Sequence, residues 1–513
     1  MSKTPIGAEL PAREAILLGL DRSLLHGLAW TGAAKWGTQA LNWAASLIVA
    51  RLLSPDDYGL VAMAGLYLGL VTLLSEFGLS TAVLNLRDTT AQEIAQANSL
   101  AVLFGVLGFG TSCVMAIPLS RFFSAPQLSP VILIMSSTFI IAAFKTVPFA
   151  LLQRELRFKS LALIEASQSL LLAFSMIGLA LLGLRYWTLV LGGVLSSIFS
   201  TAAMLRVRSV PFAWPQLGSL RRVVTFGSHI LITRLSWYAY SNADVLVAGR
   251  VLGKTALGLY NVGWMLANVP LEKTTTLVGQ VTPAFFSAVQ TDLSSLRRYL
   301  LRITEGLAFI TFPASMGLAL VARDFVLVFL GAKWLGAVIP LQLLAAYAAF
   351  RSITPLLPQV LTAIGHSRFV MWTTVACAIV FPITFYVLGS KLGIVGLALT
   401  WVVAYPFLVL PLYLRLFDRI ELGARAYLEA LWPALSATLI MAAAVLAVRR
   451  VCCMDTGPGF RFGLEVASGI AVYVLCCLVL HRVRIQPFYA VIKGGWRKTM
   501  ESTRRRGPLA AGR

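Results

Sequence analysis

Charge is what this sequence has least of. Asp, Glu, Lys and Arg make up only 12% of its 513 residues, about half the share found in a soluble globular domain. So few ionised groups cannot clothe a water-facing surface, whereas a lipid-facing one excludes them. Carboxylates are the scarcer kind, with 21 Asp and Glu against 43 Lys and Arg. The six cysteines, Cys113, Cys377, Cys452, Cys453, Cys476 and Cys477, show no metal-ligand spacing. They read as small apolar residues, and no metal centre is expected. No stretch between apolar segments exceeds about twenty residues, which leaves no room for an extramembrane catalytic domain. The N-terminus has no apolar core followed by a small-residue cleavage site, so the first span is expected to act as the insertion signal.

What is present is apolar length: 58% of the residues are hydrophobic. A membrane-crossing helix needs roughly 20 apolar residues. Fourteen such stretches lie near 28–50, 58–84, 97–118, 130–152, 160–183, 187–205, 224–250, 257–285, 301–321, 336–363, 368–389, 393–414, 428–448 and 463–481. Within lipid the backbone must satisfy its own hydrogen bonds, so each is expected to be a helix. The net charge of +22 comes from cations set between these stretches rather than on a soluble face. It therefore speaks for topology and anionic lipid, not for nucleic acid. Most loop cations share a side with both termini, which places the termini in the cytoplasm. The basic tail is expected to lie along the inner leaflet.

A long internal repeat runs through the chain. Arg51-Leu52-Leu53-Ser54-Pro55-Asp56-Asp57-Tyr58-Gly59-Leu60 corresponds to Arg250-Val251-Leu252-Gly253-Lys254-Thr255-Ala256-Leu257-Gly258-Leu259, 199 positions later. Phe144-Lys145-Thr146-Val147 corresponds to Phe350-Arg351-Ser352-Ile353 at an offset of 206. The unit of repetition is six spans. An even number restores the orientation, so the halves are parallel, and transporters with such repeats bind substrate between them and alternate access. The expected division is a cytoplasmic segment 1–26, a first six-helix bundle 27–208, a linker 209–222 and a second bundle 223–417. Two additional spans at 418–485 and a basic tail 486–513 complete it.

The stretch from Ala50 to Gly59, and its second-half counterpart from Val247 to Asn261, resemble the loop pattern of the polysaccharide transporter family. Within the multidrug/oligosaccharidyl-lipid/polysaccharide flippase superfamily the sequence is most similar to WzxC-like lipopolysaccharide and exopolysaccharide exporters. The resemblance covers about residues 25 to 485. It implies an all-α polytopic membrane protein with a twelve-span V-shaped core and two C-terminal helices, situated in the bacterial inner membrane. It also implies a polyprenyl-pyrophosphate-linked oligosaccharide as substrate. The family has no catalytic signature to carry over.

An ionisable group inside a span is costly and usually faces a cavity or a partner. Lys35, Gln39, Asn42 and Ser46 line one helix face, and they correspond to Arg234, Tyr238, Ser241 and Val245. Three repeat-related cation pairs follow: Lys35 with Arg234, Arg51 with Arg250, and Lys145 with Arg351. A pyrophosphate needs several donors at once, and Arg offers them in a planar fork. These six, with Lys273, are the candidate headgroup site; Arg51 and Arg250, at span ends, are also explained by snorkelling. Glu76, Asp244, Glu272 and Glu305 are candidates for coupling to H⁺ or Na⁺, with internal ion pairing as the alternative. The Gly65-x-x-x-Gly69 spacing is expected to mark close helix packing.

The reading is a transporter, not an enzyme, with no cofactor. Its partners are the lipid-linked oligosaccharide, membrane lipids and polysaccharide-biosynthesis enzymes. Two alternatives remain from the residues alone. A cation-coupled drug antiporter would favour a carboxylate-lined cleft, and a membrane-embedded polymerase or ligase would need a catalytic loop. Topology is directly testable. Alkaline phosphatase fused after Arg513 is expected to stay inactive, and green fluorescent protein at the same point to fluoresce; an active phosphatase would reverse the orientation.

Overall fold

The structure is a computed structural model and describes residues 37–39, 41–76, 90–214, 235, 237–452, 456–482 and 484. Among them there is no strand. The helices are α1 (residues 41–52), α2 (Pro55–Glu76), α3 (Ala91–Phe122), α4 (Leu128–Arg154), α5 (Phe158–Leu181) and α6 (Trp187–Val207). They continue with α7 (Ala243–Val247, extended by a π turn Ala248–Leu252), α8 (Gly253–Ala288), α9 (Leu293–Phe325) and α10 (Val338–Ile353). The last are α11 (Leu356–Ala363), α12 (Ser367–Arg419), α13 (Ala424–Cys452) and α14 (Pro458–Val479).

Among the described residues, ten helical stretches are long and apolar enough to cross a bilayer. One of them, the 53-residue α12, would measure about 80 Å at 1.5 Å per residue, far more than the ~30 Å hydrocarbon layer. It is broken at Gly393, whose φ of 62° and ψ of −144° are not helical and suit a residue without Cβ. The break restores the two spans expected at 368–389 and 393–414. The expected span 257–285 falls within α8, whereas the first parts of 28–50 and 224–250 lie outside the described residues. Large apolar side chains such as Leu163, Phe407 and Ile470 stand 69%, 71% and 62% exposed. Surface of that kind is stable against lipid and not against water.

The chain divides into two compact units, Met1–Gly258 and Leu259–Arg513. In the first, α3 packs on α4, α4 and α5 pack on α6, and α2 packs on α4. Ala97, Leu100, Ala101, Val147, Ala150 and Leu151 form one core there.

The repeated motif acquires a physical explanation in this unit. Ser54 caps α2: its N–H and hydroxyl donate to Asp57 Oδ2 at 2.9 and 2.6 Å, and Pro55 takes the first helical position, where no N–H is needed. Asp57 is buried. Its Oδ1 accepts from the Tyr186 N–H at 3.2 Å and lies 3.6 Å from Arg185 Nε. Asp56 takes up Lys254 at 3.4 Å and the Thr255 hydroxyl. The repeat-related glycines meet each other. A Cβ on Gly59 would lie 1.7 Å from the Lys254 carbonyl oxygen, and one on Gly258 would lie 1.8 Å from that of Pro55. Only glycine at both positions permits this backbone contact.

In the second unit α9 is central. It packs on α10, α13 and α14, while α12 packs on α10 and α11. Phe286, Leu296, Leu300, Leu357, Leu361 and Leu416 form its largest apolar core. Asp292 caps α9, accepting from the Ser294 and Ser295 N–H groups at 3.0 and 3.1 Å. Hydrogen bonds from Ser295, then Ser294, hold its carboxyl well below the usual aspartate range. The cap is therefore intact above that range and is lost only as the pH falls through the lowered value.

The last two spans are tied to α9 by charge as well as by packing. Glu465 on α14 is fully buried and is gripped by Arg449 of α13 at 2.7 and 2.9 Å. Arg449 also donates to the Leu320 carbonyl at 2.6 Å. Arg461 pairs with buried Asp324 of α9, and the Tyr473 hydroxyl donates to the Phe309 carbonyl at 2.7 Å. Removing one partner of a buried pair leaves an unanswered charge and costs about 3–5 kcal/mol, whereas replacing both with apolar groups is often nearly neutral. Arg449→Ala is thus expected to lower the thermal unfolding temperature of the detergent-purified protein clearly. The double change Arg449→Leu with Glu465→Leu is expected to restore most of it.

Candidate functional site

Lys145 lies in the membrane-crossing stretch Leu128–Arg154 and is half-buried. Its Nζ donates to Ser200 Oγ on α6 at 2.9 Å. The Ser200 hydroxyl is oriented for this, because its own proton goes to the Ser197 carbonyl at 3.1 Å. One turn away the Thr201 hydroxyl bonds the Ile141 carbonyl at 3.1 Å, fixing α6 against α4. An ammonium carries three N–H groups, and a serine oxygen leaves its charge intact.

Arg351 lies in the crossing stretch Ala332–Ala363 of the second unit and is also half-buried. Its Nη1 donates to Asn268 Oδ1 on α8 at 2.9 Å, and its Cζ sits over the Trp264 ring, 5.4 Å from the centroid. Trp264 is held by Trp401 and Tyr347, with ring centroids 5.3 and 6.2 Å away. Trp401 is in turn fixed by its Nε1–H bond to the Tyr260 hydroxyl at 3.0 Å. Among the described residues no carboxylate pairs with Lys145 or Arg351.

Other expected site residues fare differently. Arg250 is exposed and spends its guanidinium on the end of α3. Nη1 donates to the Phe122 carbonyl at 2.7 Å and to Ser124 Oγ at 3.4 Å, over the Phe122 ring at 5.3 Å. Its geometry is that of a helix-end cap. Arg51 is exposed near the end of α1. Asp244 is buried and accepts the Val245 N–H at 2.8 Å. Glu305 is buried on α9, with Oε1 lacking a hydrogen bond and 3.8 Å from Arg484. Lys35 and Arg234, and the side chains of Glu76, Glu272 and Lys273, lie outside the described residues.

The expectation for Gly65-x-x-x-Gly69 holds at one end only. A Cβ on Gly69 would meet the Tyr238 hydroxyl at 2.3 Å, whereas Gly65 has nothing within 4 Å. Helix spacing puts both glycines on one face but does not supply a neighbour for each. Sequence reasoning also missed Ser200, Asn268 and Trp264. The i, i+4 spacing of Trp264 and Asn268 was the available signal, because it aligns an indole and an amide on one face.

Among the described residues, helical packing with ten stretches able to cross a bilayer and charge held inside them defines a polytopic membrane protein. The family model described as "Polysaccharide biosynthesis protein" matches residues 48–339, and the chain belongs to that family. It is 24% identical over 347 residues to the lipopolysaccharide biosynthesis protein WzxC of Escherichia coli K12, covering 66% of this chain and 69% of that protein. It is 23% identical over 470 residues to the teichuronic acid biosynthesis protein TuaB of Bacillus subtilis, covering 90% and 95%. Among solved structures, the lipid II flippase MurJ in an inward closed conformation superposes with a TM-score of 0.70 at 14% identity. That match covers 89% of this chain and all of the other, 100%, and shows a shared fold.

Proposed function

We propose that this protein is a flippase that moves polyprenyl-pyrophosphate-linked oligosaccharide across the bacterial inner membrane by alternating access. The observation that carries this reading is that Lys145 and Arg351, inside membrane spans, are each held by a neutral side chain and, among the described residues, pair with no carboxylate. A charge in hydrocarbon that no carboxylate answers calls for an anionic ligand. A diphosphate linking a sugar to a lipid carrier is such an anion, and its donors of choice are an ammonium and a guanidinium fork. The lipid tail stays in the bilayer while the head crosses. Relatives that act in polysaccharide assembly, and a lipid II flippase of the same fold, support this substrate class.

The protein works as a transporter rather than an enzyme, without a cofactor and with both termini in the cytoplasm. Oligosaccharide-assembling enzymes supply its substrate. Glu305, buried and held only at 3.8 Å by Arg484, is the carboxylate best suited to couple transport to H⁺ or Na⁺, with Asp244 second. The surplus of cations over carboxylates speaks against a cationic-drug antiporter. The test is headgroup flipping in proteoliposomes loaded with undecaprenyl-diphosphate-linked sugar. Lys145→Ala with Arg351→Ala is expected to lower the flipping rate at least about tenfold, the loss of one charge-assisted bond, while the protein still elutes as a single folded peak. An unchanged rate would remove the cationic site.

A further inference from the structure

The two cations are not equivalent, and the difference lies in what surrounds them. Asn268 is fixed in one sense: its Nδ2 donates to the Trp264 carbonyl at 2.8 Å, so Oδ1 faces Arg351 as an acceptor. The amide therefore locates the guanidinium without neutralising it. Trp264 sits four residues earlier on the same helix face and supplies the surface on which the guanidinium lies. Arg351 is held from two directions by neutral groups. Arg has five N–H donors, and one on Nη1 goes to Asn268.

Among the described residues the first half builds nothing comparable. The offset of 199 that relates Asp56 to Thr255 sets Trp264 and Asn268 on Gly65 and Gly69. The space at Gly69 is closed by Tyr238, whose hydroxyl donates to the Leu66 carbonyl at 2.6 Å. Lys145, the counterpart of Arg351, has a serine hydroxyl instead. An ammonium on a flexible stem is a point charge, whereas a guanidinium pinned on an indole is a preset fork.

Building on the headgroup reading above, we propose that Asn268 and Trp264 are positioning residues that preset Arg351 as the principal docking point for the diphosphate of the lipid carrier. Preorganisation strengthens binding because the fork is ordered before the ligand arrives. An Asp at position 268 could hold the same fork but would cancel its charge, which accounts for an amide there.

The experiment measures binding of radiolabelled undecaprenyl diphosphate to the full chain in zwitterionic nanodiscs. Asn268→Ala is expected to weaken binding about tenfold, the loss of one hydrogen bond to a charged group. Trp264→Phe, which keeps the aromatic packing, is expected to weaken it by a smaller factor. In an Arg351→Ala background neither change is expected to weaken binding further. Asn268→Asp is expected to weaken binding at neutral pH and to regain it, relative to wild type, as the pH falls and the carboxylate protonates. Lys145→Ala is expected to weaken binding less than Arg351→Ala. If Asn268→Ala and Trp264→Phe weaken binding equally with and without Arg351, their role is structural and the proposal is overturned. It is also overturned if free inorganic pyrophosphate binds as tightly and with the same Arg351 dependence, since the site would then take free phosphate. Loss of binding in Arg351→Ala with silent Asn268→Ala and Trp264→Phe rejects only the positioning role. Wild-type binding and flipping in Arg351→Ala reject the headgroup reading itself.

Discussion

A positive charge inside a hydrocarbon layer must be answered, because the low dielectric multiplies the free energy of leaving it bare. This chain answers its buried charges in two ways. Arg449 and Arg461 meet Glu465 and Asp324 within hydrogen-bonding distance, and these pairs fasten α13 and α14 to α9. Lys145 and Arg351 meet a hydroxyl and an amide, which satisfy N–H groups but cancel no charge. The first arrangement is closed and belongs to the architecture. The second is the arrangement on which the proposed anion site rests. Among the described residues the fold thus uses carboxylate partners at Arg449 and Arg461 and neutral ones at Lys145 and Arg351.

The repeat carries the same division between architecture and function. Its most legible part, the motif around Gly59 and Gly258, is a packing device. Ser54, Pro55 and Asp57 start a helix, and two glycines let backbones touch where any Cβ would overlap a carbonyl oxygen. Away from that contact the repeats are free to diverge. Positions that are glycine in α2 are tryptophan and asparagine in α8, and lysine in α4 becomes arginine in α10.

Much of the fold was readable from hydropathy, since apolar runs of bilayer length have no alternative to helix. The two spans flanking Gly393 were read as separate, and the geometry of that glycine explains why one continuous helix is bent into two. Charge was harder to read. Arg250 looked equivalent to the deeper cations because it repeats Arg51, yet it caps α3 through the Phe122 carbonyl. Its role depends on a residue 128 positions away. Gly65 and Gly69 share a face, but only Gly69 has a neighbour, because face-sharing is a property of one helix and contact is a property of two. Asp324 and Glu465 carried no sequence signal, since their partners lie 137 and 16 residues off.

By itself the sequence determined that the chain dissolves in a bilayer, that it crosses many times as helix, that its halves repeat, and which family it joins. The first two follow from composition and hydropathy, which the solvent reads directly, and the last two from the motif at Arg51–Leu60 and its return 199 positions later. Only the tertiary structure decided which of the described cations meet a carboxylate and which meet a neutral group. That depends on side chains brought together from distant helices, and electrostatic compensation acts over a few ångströms of space rather than along the chain.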